Sequence, residues 1–372
     1  MCVRKARGFF YIGSSFSRNR FFVTSWWILL AIVFAIVGCA PPVPTTSSVA
    51  VTPVPTMAEA NSPADRSIPN FSHVFIIVME NREYDDVIGS PDAPYLNQLA
   101  ATYALATRYY AVRHPSLPNY LALISGSTQG MTDDCATCTV DGANLVGQLE
   151  AHHKTWTAYM EDYPGSCFNG TVAGGPLAWI GQDGYVRRHD PFIYFDNIRE
   201  NPDRCRQIVP LSQFESDLAG NRLSDFVWIT PNLRHDMHSG STRAGDDWLA
   251  SFVPKILQSS AWKSNGVLFI VWDEGRSNQG CCADVVGGHV PALVIAAKGV
   301  RGYRSDVPYS HYSLLRTIED AWHLGYLGYA GDPRTTPMND FFGERGASLR
   351  RLGRSSSSPT RRTVISSSTP RG

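Results

Sequence analysis

The chain lacks net charge: 33 Lys and Arg balance 33 Asp and Glu. No long-range field would therefore hold a polyanion, and nothing points to nucleic acid as a partner. No internal repeat recurs, which argues against a solenoid or propeller. The apolar run WWILLAIVFAIV at 26 to 37 is short for a membrane span. Behind Arg4, Lys5, Arg7, Arg18 and Arg20 it reads as an export signal and not as part of the fold. Ile36-Val37-Gly38-Cys39 sets a small residue before cysteine, as a lipoprotein signal peptidase requires, so Cys39 is the expected lipidation site. The expected location is extracytoplasmic, either held at the membrane through the amino terminus or secreted.

Large apolar residues are scarce from 40 to 67, a stretch of Pro, Thr, Ser and Ala that cannot bury a core and reads as a disordered tether. Acidic residues are absent from 345 to 372, where seven Arg stand among many Ser, the pattern of a disordered basic tail. Residues 68 to 344 remain as one sizeable domain. Its six cysteines, Cys135, Cys138, Cys167, Cys205, Cys281 and Cys282, suggest disulfides in an exported protein. Their pairing is not readable from the sequence. Cys135-Ala136-Thr137-Cys138 has zinc-knuckle spacing but no second pair, so a loop staple is the better reading.

Four runs are apolar throughout and rich in β formers: 73 to 79, 225 to 230, 267 to 272 and 290 to 297. Continuous apolarity predicts strands buried on both faces, as in a parallel sheet. Helical patterns fall at 94 to 104, 117 to 125, 144 to 153, 246 to 260 and 312 to 324. The alternation predicts an α/β fold, a doubly wound, mostly parallel sheet with helices on both faces. The segment from 160 to 210 shows no clear period.

In such a sheet, ligands bind beyond the carboxyl ends of the strands. The first strand is followed by Glu80-Asn81, the second by Pro231-Asn232 and the pair Asp236 and His238, and the third by Asp273-Glu274; His289 stands immediately before the fourth. Carboxylates and imidazoles gathered on one edge suit a divalent metal. Ser116 opens the helical run, because Pro118 is tolerated only in a first turn. A serine at that position faces the helix N-terminus, which favours an alkoxide and a bound phosphate.

These residues lie in segments that resemble a known family. Ser116-Leu117-Pro118-Asn119 is similar to the nucleophile turn of the alkaline phosphatase superfamily. The likeness to the bacterial phosphoesterases is closer and runs from about 73 to 325: Val78-Met79-Glu80-Asn81, His114 to Tyr120, Arg188-His189-Asp190-Pro191, Asp236-Met237-His238, Trp272-Asp273-Glu274 and His311 to Glu319. That family includes secreted acid phosphatases, some acting on phosphoinositides, and phospholipases C. The resemblance implies a Ser116 nucleophile and a metal shell of Glu80, Asn81, Asp273 and Glu274. It places Asp236, His238 and His289 at a phosphate or second-metal site. It makes Asn119 a donor to a phosphoryl oxygen and puts His189 and His311 on the pocket wall. His114, His152, His153 and His323 read as structural or solvated. The family pattern Asn-Asp-x-His-Asp is replaced here by His235-Asp236-Met237-His238-Ser239, which leaves metal number and identity open. The implied function is a metal-dependent phosphomonoesterase, with phosphodiester cleavage or simple anion binding as alternatives. A sulfatase is disfavoured, since the Arg of its Cys/Ser-x-Pro-x-Arg motif is missing.

Overall fold

The computed structural model describes residues 67 to 343. The export signal, Cys39, almost all of the expected tether and the basic tail lie outside the described residues.

A nine-stranded mixed sheet organises the domain. Its strands are β1 (Val74–Met79), β2 (Ala104–Tyr110), β3 (Trp156–Met160), β6 (Ile208–Pro210), β7 (Phe226–Thr230), β8 (Val267–Trp272), β9 (His289–Ala296), β10 (Tyr303–Ser305) and β11 (Tyr309–Ser310), while β4 (Val172–Ala173) and β5 (Tyr185–Val186) form a separate antiparallel ribbon. The strand order is β10-β2-β9-β8-β1-β7-β3-β6, with β11 beside β2. All pairs in the main sheet are parallel except the two made by β9, which runs antiparallel to both β8 and β2. Every residue of β1 and β8 is buried, which requires cover on both faces. Helix Pro94–Thr102 packs on Thr242–Gln258, and Ser116–Ser125 packs on His311–Trp322.

The four expected strands are present within one residue of their sequence limits. Strand β2 is a departure: residues 103 and 104 do not extend the preceding helix, and Ala104 starts a strand between β9 and β10. An alanine-rich segment favours helix locally, but ladder hydrogen bonds on two sides override that preference. The segment from 160 to 210 contains only short elements, in keeping with its lack of period. All six described cysteines pair, as Cys135–Cys138, Cys167–Cys205 and Cys281–Cys282. The Cys135–Cys138 loop is a structural staple, its carbonyls taking the Tyr194 hydroxyl and the Arg187 guanidinium.

Helix Ser116–Ser125 is buried along its whole length. It stops at Gly126, whose φ is 67°. A side chain there would be strained and would press its Cβ to 2.1 Å from the Leu327 carbonyl oxygen.

Candidate active site

Strands β1, β7 and β8 are neighbours, so the residues that follow them meet at one sheet edge. Backbone bonds lock the three ends together: Glu80 N–H donates to Asp236 O at 2.8 Å and Asp273 N–H to Met79 O at 2.9 Å. Ser116 is the first residue of its helix, with Pro115 at the N-cap. Its Oγ lies 3.1 Å from both Glu80 Oε2 and Glu274 Oε1, so either carboxylate can accept the hydroxyl proton. Asn81 joins the group, its Nδ2 donating to Glu274 Oε1 at 3.3 Å and its N–H to Asp273 Oδ1 at 3.2 Å.

A second cluster shares Glu80. The His189 ring stands between two carboxylates, with Nε2 3.2 Å from Glu80 Oε1 and Nδ1 3.3 Å from Asp236 Oδ2. Among the described residues, Glu80, His189 and Asp236 form the one group of three whose ligand atoms lie within 4.8 Å of one another. Asp236 is aimed by its own turn, since Oδ1 accepts the His238 N–H at 2.7 Å and leaves Oδ2 to face the ring. Tyr120 stacks on His189 at 5.1 Å.

Burial makes this arrangement electrostatically unfavourable without a cation. Glu80, Asp236 and Asp273 are fully buried. Burial pushes each well above the usual carboxylate range, reinforced by the neighbouring charges of Asp236 on Glu80, Asp273 on Asp236 and Glu80 on Asp273. Glu274 is raised by burial, against the opposing contact with His114. Burial, then Arg188 and His238, hold His189 well below the usual imidazole value, so the ring is neutral and available as a ligand. Asn81 Oδ1, Asp236 Oδ2, Asp273 Oδ2 and His189 Nε2 are buried without a hydrogen bond. Unpaired buried acceptors of this kind are rare. Oxygen donors with one imidazole fit a divalent metal, which Glu80, Asp236 and His189 would hold.

The model of the Phosphoesterase family matches residues 90–325. The chain belongs to that family. The chain is 32% identical over 284 residues to a protein of Mycobacterium tuberculosis named phosphatidylinositol-3-phosphatase, covering 76% of this chain and 86% of that one. It is 30% identical over 263 residues to an acid phosphatase of Aspergillus fumigatus, covering 69% of this chain but only 56% of the relative. Its fold is similar to that of an alkaline phosphatase superfamily protein from Vibrio parahaemolyticus, at 12% identity and a TM-score of 0.47 over 75% of this chain and 76% of that one.

Several expected roles change in the phosphoesterase structure. The Asn119 amide is spent on the turn before the helix: Oδ1 accepts Val112 and Arg113 N–H at 2.8 and 3.0 Å, and Nδ2 donates to Arg113 O and Pro115 O at 2.8 and 3.0 Å. It holds Ser116 in place and has no donor left for a phosphoryl oxygen. The helix N-terminus is similarly committed. Leu117 N–H donates to Asp134 Oδ1 at 3.0 Å and Pro118 has no N–H, so the first turn offers an anion the Ser116 N–H alone.

His289 is not part of either cluster. Its Nε2 lies 2.9 Å from Thr107 O, and its ring stacks on Tyr84 at 4.6 Å and lies against Tyr110 at 5.3 Å. It reaches the carboxyl edge because β9 is antiparallel; before a parallel strand it would lie on the opposite edge. His311 stands behind the site, with Nε2 2.6 Å from Asp273 O and Nδ1 3.1 Å from the Tyr109 hydroxyl. Burial pushes it down to about 4, so it is neutral and acts as a strut. His238 packs beside His189 with Nε2 3.2 Å from Arg188 Nη2, and burial followed by the Arg188 charge lowers it to about 4.

Three contributors escape a reading by residue type. His114 contacts Glu274 through Nδ1 and Ser277 O through Nε2, so it belongs to the site and is not merely solvated. Tyr120 donates to Glu80 Oε1 at 2.5 Å. Arg188 is a cation beside His238, 3.5 Å from Asp134 Oδ2. Each lies in a motif already singled out, so a signal was present; their side-chain directions were not.

Proposed function

We propose that this chain is an exported, metal-dependent phosphomonoesterase with Ser116 as its nucleophile. The observation that carries the proposal is the Ser116 hydroxyl at a helix start, 3.1 Å from two buried carboxylates. Beside it are Asn81 Oδ1 and Asp273 Oδ2, which have no hydrogen-bond partner. The relatives named phosphatases support the same reaction class.

Ser116 Oγ attacks phosphorus in line as its proton passes to Glu80 or Glu274, the bond to the leaving oxygen breaks, and a phosphoseryl enzyme results. Water then releases phosphate. A bound divalent cation lowers the hydroxyl pKa and offsets charge on the phosphoryl oxygens. Asn119 holds the nucleophile turn, His311 braces Asp273 from behind, and Arg188 brings positive charge to an otherwise acidic site. The relative named phosphatidylinositol-3-phosphatase makes phosphoinositide monoesters the substrate class to test. Lipidation at Cys39 would hold the enzyme beside such substrates.

The test is phosphate release from a chromogenic aryl phosphomonoester and its matched diester by the metal-replete full chain. Monoester cleavage abolished both by Ser116→Ala and by chelation supports the proposal, and preference for the diester would move it to a phospholipase C type. No turnover of either by folded, metal-replete protein sinks it.

A further inference from the structure

Twenty consecutive residues, 163 to 182, contain no Asp, Glu, Lys, Arg or His. They hold half of the exposed large hydrophobic side chains among the described residues: Leu177 at 47%, Trp179 at 77% and Ile180 at 47% exposure. Three large apolar side chains this exposed within four positions call for an explanation, since isolated ones are common and clusters are not.

The end of the segment is held by hydrogen bonds. Residues 174 to 182 lie at the tip of the ribbon formed by β4 and β5. Ile180 N–H donates to Leu177 O at 3.2 Å and Gly181 N–H to Ala178 O at 2.9 Å, closing a turn that presents the three side chains outward. Two bonds moor it to the site loop: Ser239 Oγ donates to Gly181 O at 2.9 Å, and Leu233 N–H to Gly184 O at 3.1 Å. From the tip the chain runs through β5 directly into Arg187, Arg188 and His189. An apolar wedge is thus joined by a few residues to the metal-ligand candidate His189.

Building on the phosphomonoesterase reading, we infer that this tip docks the enzyme on a lipid bilayer and brings membrane-borne phosphate esters to Ser116. Tryptophan favours the bilayer interface, where its ring is buried and its N–H stays wet. An uncharged tip removes the penalty of carrying charge into the headgroup region. Three apolar side chains give only weak binding alone, and stable attachment takes a second signal. Seven Arg in residues 345 to 372, with no acidic residue, supply electrostatic attraction to anionic lipid.

The test uses the full chain, metal-replete, with vesicles of mixed phosphatidylcholine and phosphatidylserine carrying a phosphoinositide monophosphate. The triple variant Leu177→Ser, Trp179→Ser, Ile180→Ser is compared with wild type, so that the amino-terminal apolar run contributes equally to both. The expected result is roughly tenfold weaker sedimentation with vesicles and roughly tenfold slower phosphate release from them, with turnover of a soluble aryl phosphomonoester unchanged. Brominated-lipid quenching that is smaller in Trp179→Phe than in wild type, beyond the share left by the other Trp residues, would place the ring in the bilayer. Unchanged vesicle binding and turnover in the triple variant overturns the inference while leaving the phosphomonoesterase intact. Vesicle binding that depends on the tip, in a protein inactive on every phosphate ester, keeps the docking surface and overturns the enzyme reading instead.

Discussion

Tyr120 donates its hydroxyl to Glu80 Oε1 at 2.5 Å, while Ser116, one helical turn earlier, reaches Oε2 of the same carboxylate at 3.1 Å. Positions four apart share a helix face, so this single helix aims the Ser116 and Tyr120 hydroxyls at one buried acid. Glu80 in turn touches His189, linking Ser116 to the second cluster.

Replacing Ser116 with alanine removes the attacking atom and little packing. Turnover of a phosphomonoester falls by about a thousandfold or more, with the melting temperature of the metal-loaded protein almost unchanged. Alanine retaining full activity would refute the nucleophile assignment.

Without a cation, Glu80, Asp236 and Asp273 crowd one another as buried acids. Chelation is expected to abolish turnover and lower the melting temperature, and excess divalent ion to restore both. His189→Ala weakens metal affinity by roughly 10- to 100-fold in a titration followed by calorimetry. Unaltered affinity would remove His189 from the ligand set.

Asn119→Ala breaks four hydrogen bonds in the turn before the helix and strands the buried N–H of Val112. The loss of stability is about 2 to 4 kcal/mol, measured by denaturant unfolding without any substrate. A group acting only on phosphate would change kinetics and leave unfolding alone.

Arg188→Ala withdraws the cation beside His238. The expectation is a loss of kcat/KM of roughly 10- to 100-fold with unchanged unfolding, and partial rescue by lysine. Equal activity in the two variants and the wild type would show that Arg188 serves only its contacts with Asp134 and His238.

Burial raises Glu319 from 4.5 to about 8. Within that window the native state keeps a proton that the unfolded chain releases, so stability falls as pH rises and levels off above it. Glu319→Gln removes this dependence. Its melting temperature should match wild type near pH 4.5 and exceed it by roughly 10 °C or more above about pH 8. Parallel profiles for the two proteins would disprove the shift.

The sequence by itself determined the central strands and what stands at their carboxyl ends. Continuous apolar runs allow little else, and Glu80, Asn81, Asp273 and Glu274 follow those runs directly, so chain connectivity carries them to one edge. Ser116 was equally legible, because Pro118 admits only a first-turn position. Only the tertiary structure decided the partners of the histidines and amides. His189, expected on the pocket wall, belongs to an aperiodic segment whose path is set by the β4–β5 ribbon and a disulfide-stapled loop, and only the fold shows that its ring stands between Glu80 and Asp236. His289 reached the expected edge and was then captured by two tyrosines. Asn119 turned its amide back onto its own chain, and His114 reached Glu274. Spacing along a chain fixes which edge a residue reaches; the direction of a side chain follows from competition among neighbours that converge only when the fold closes.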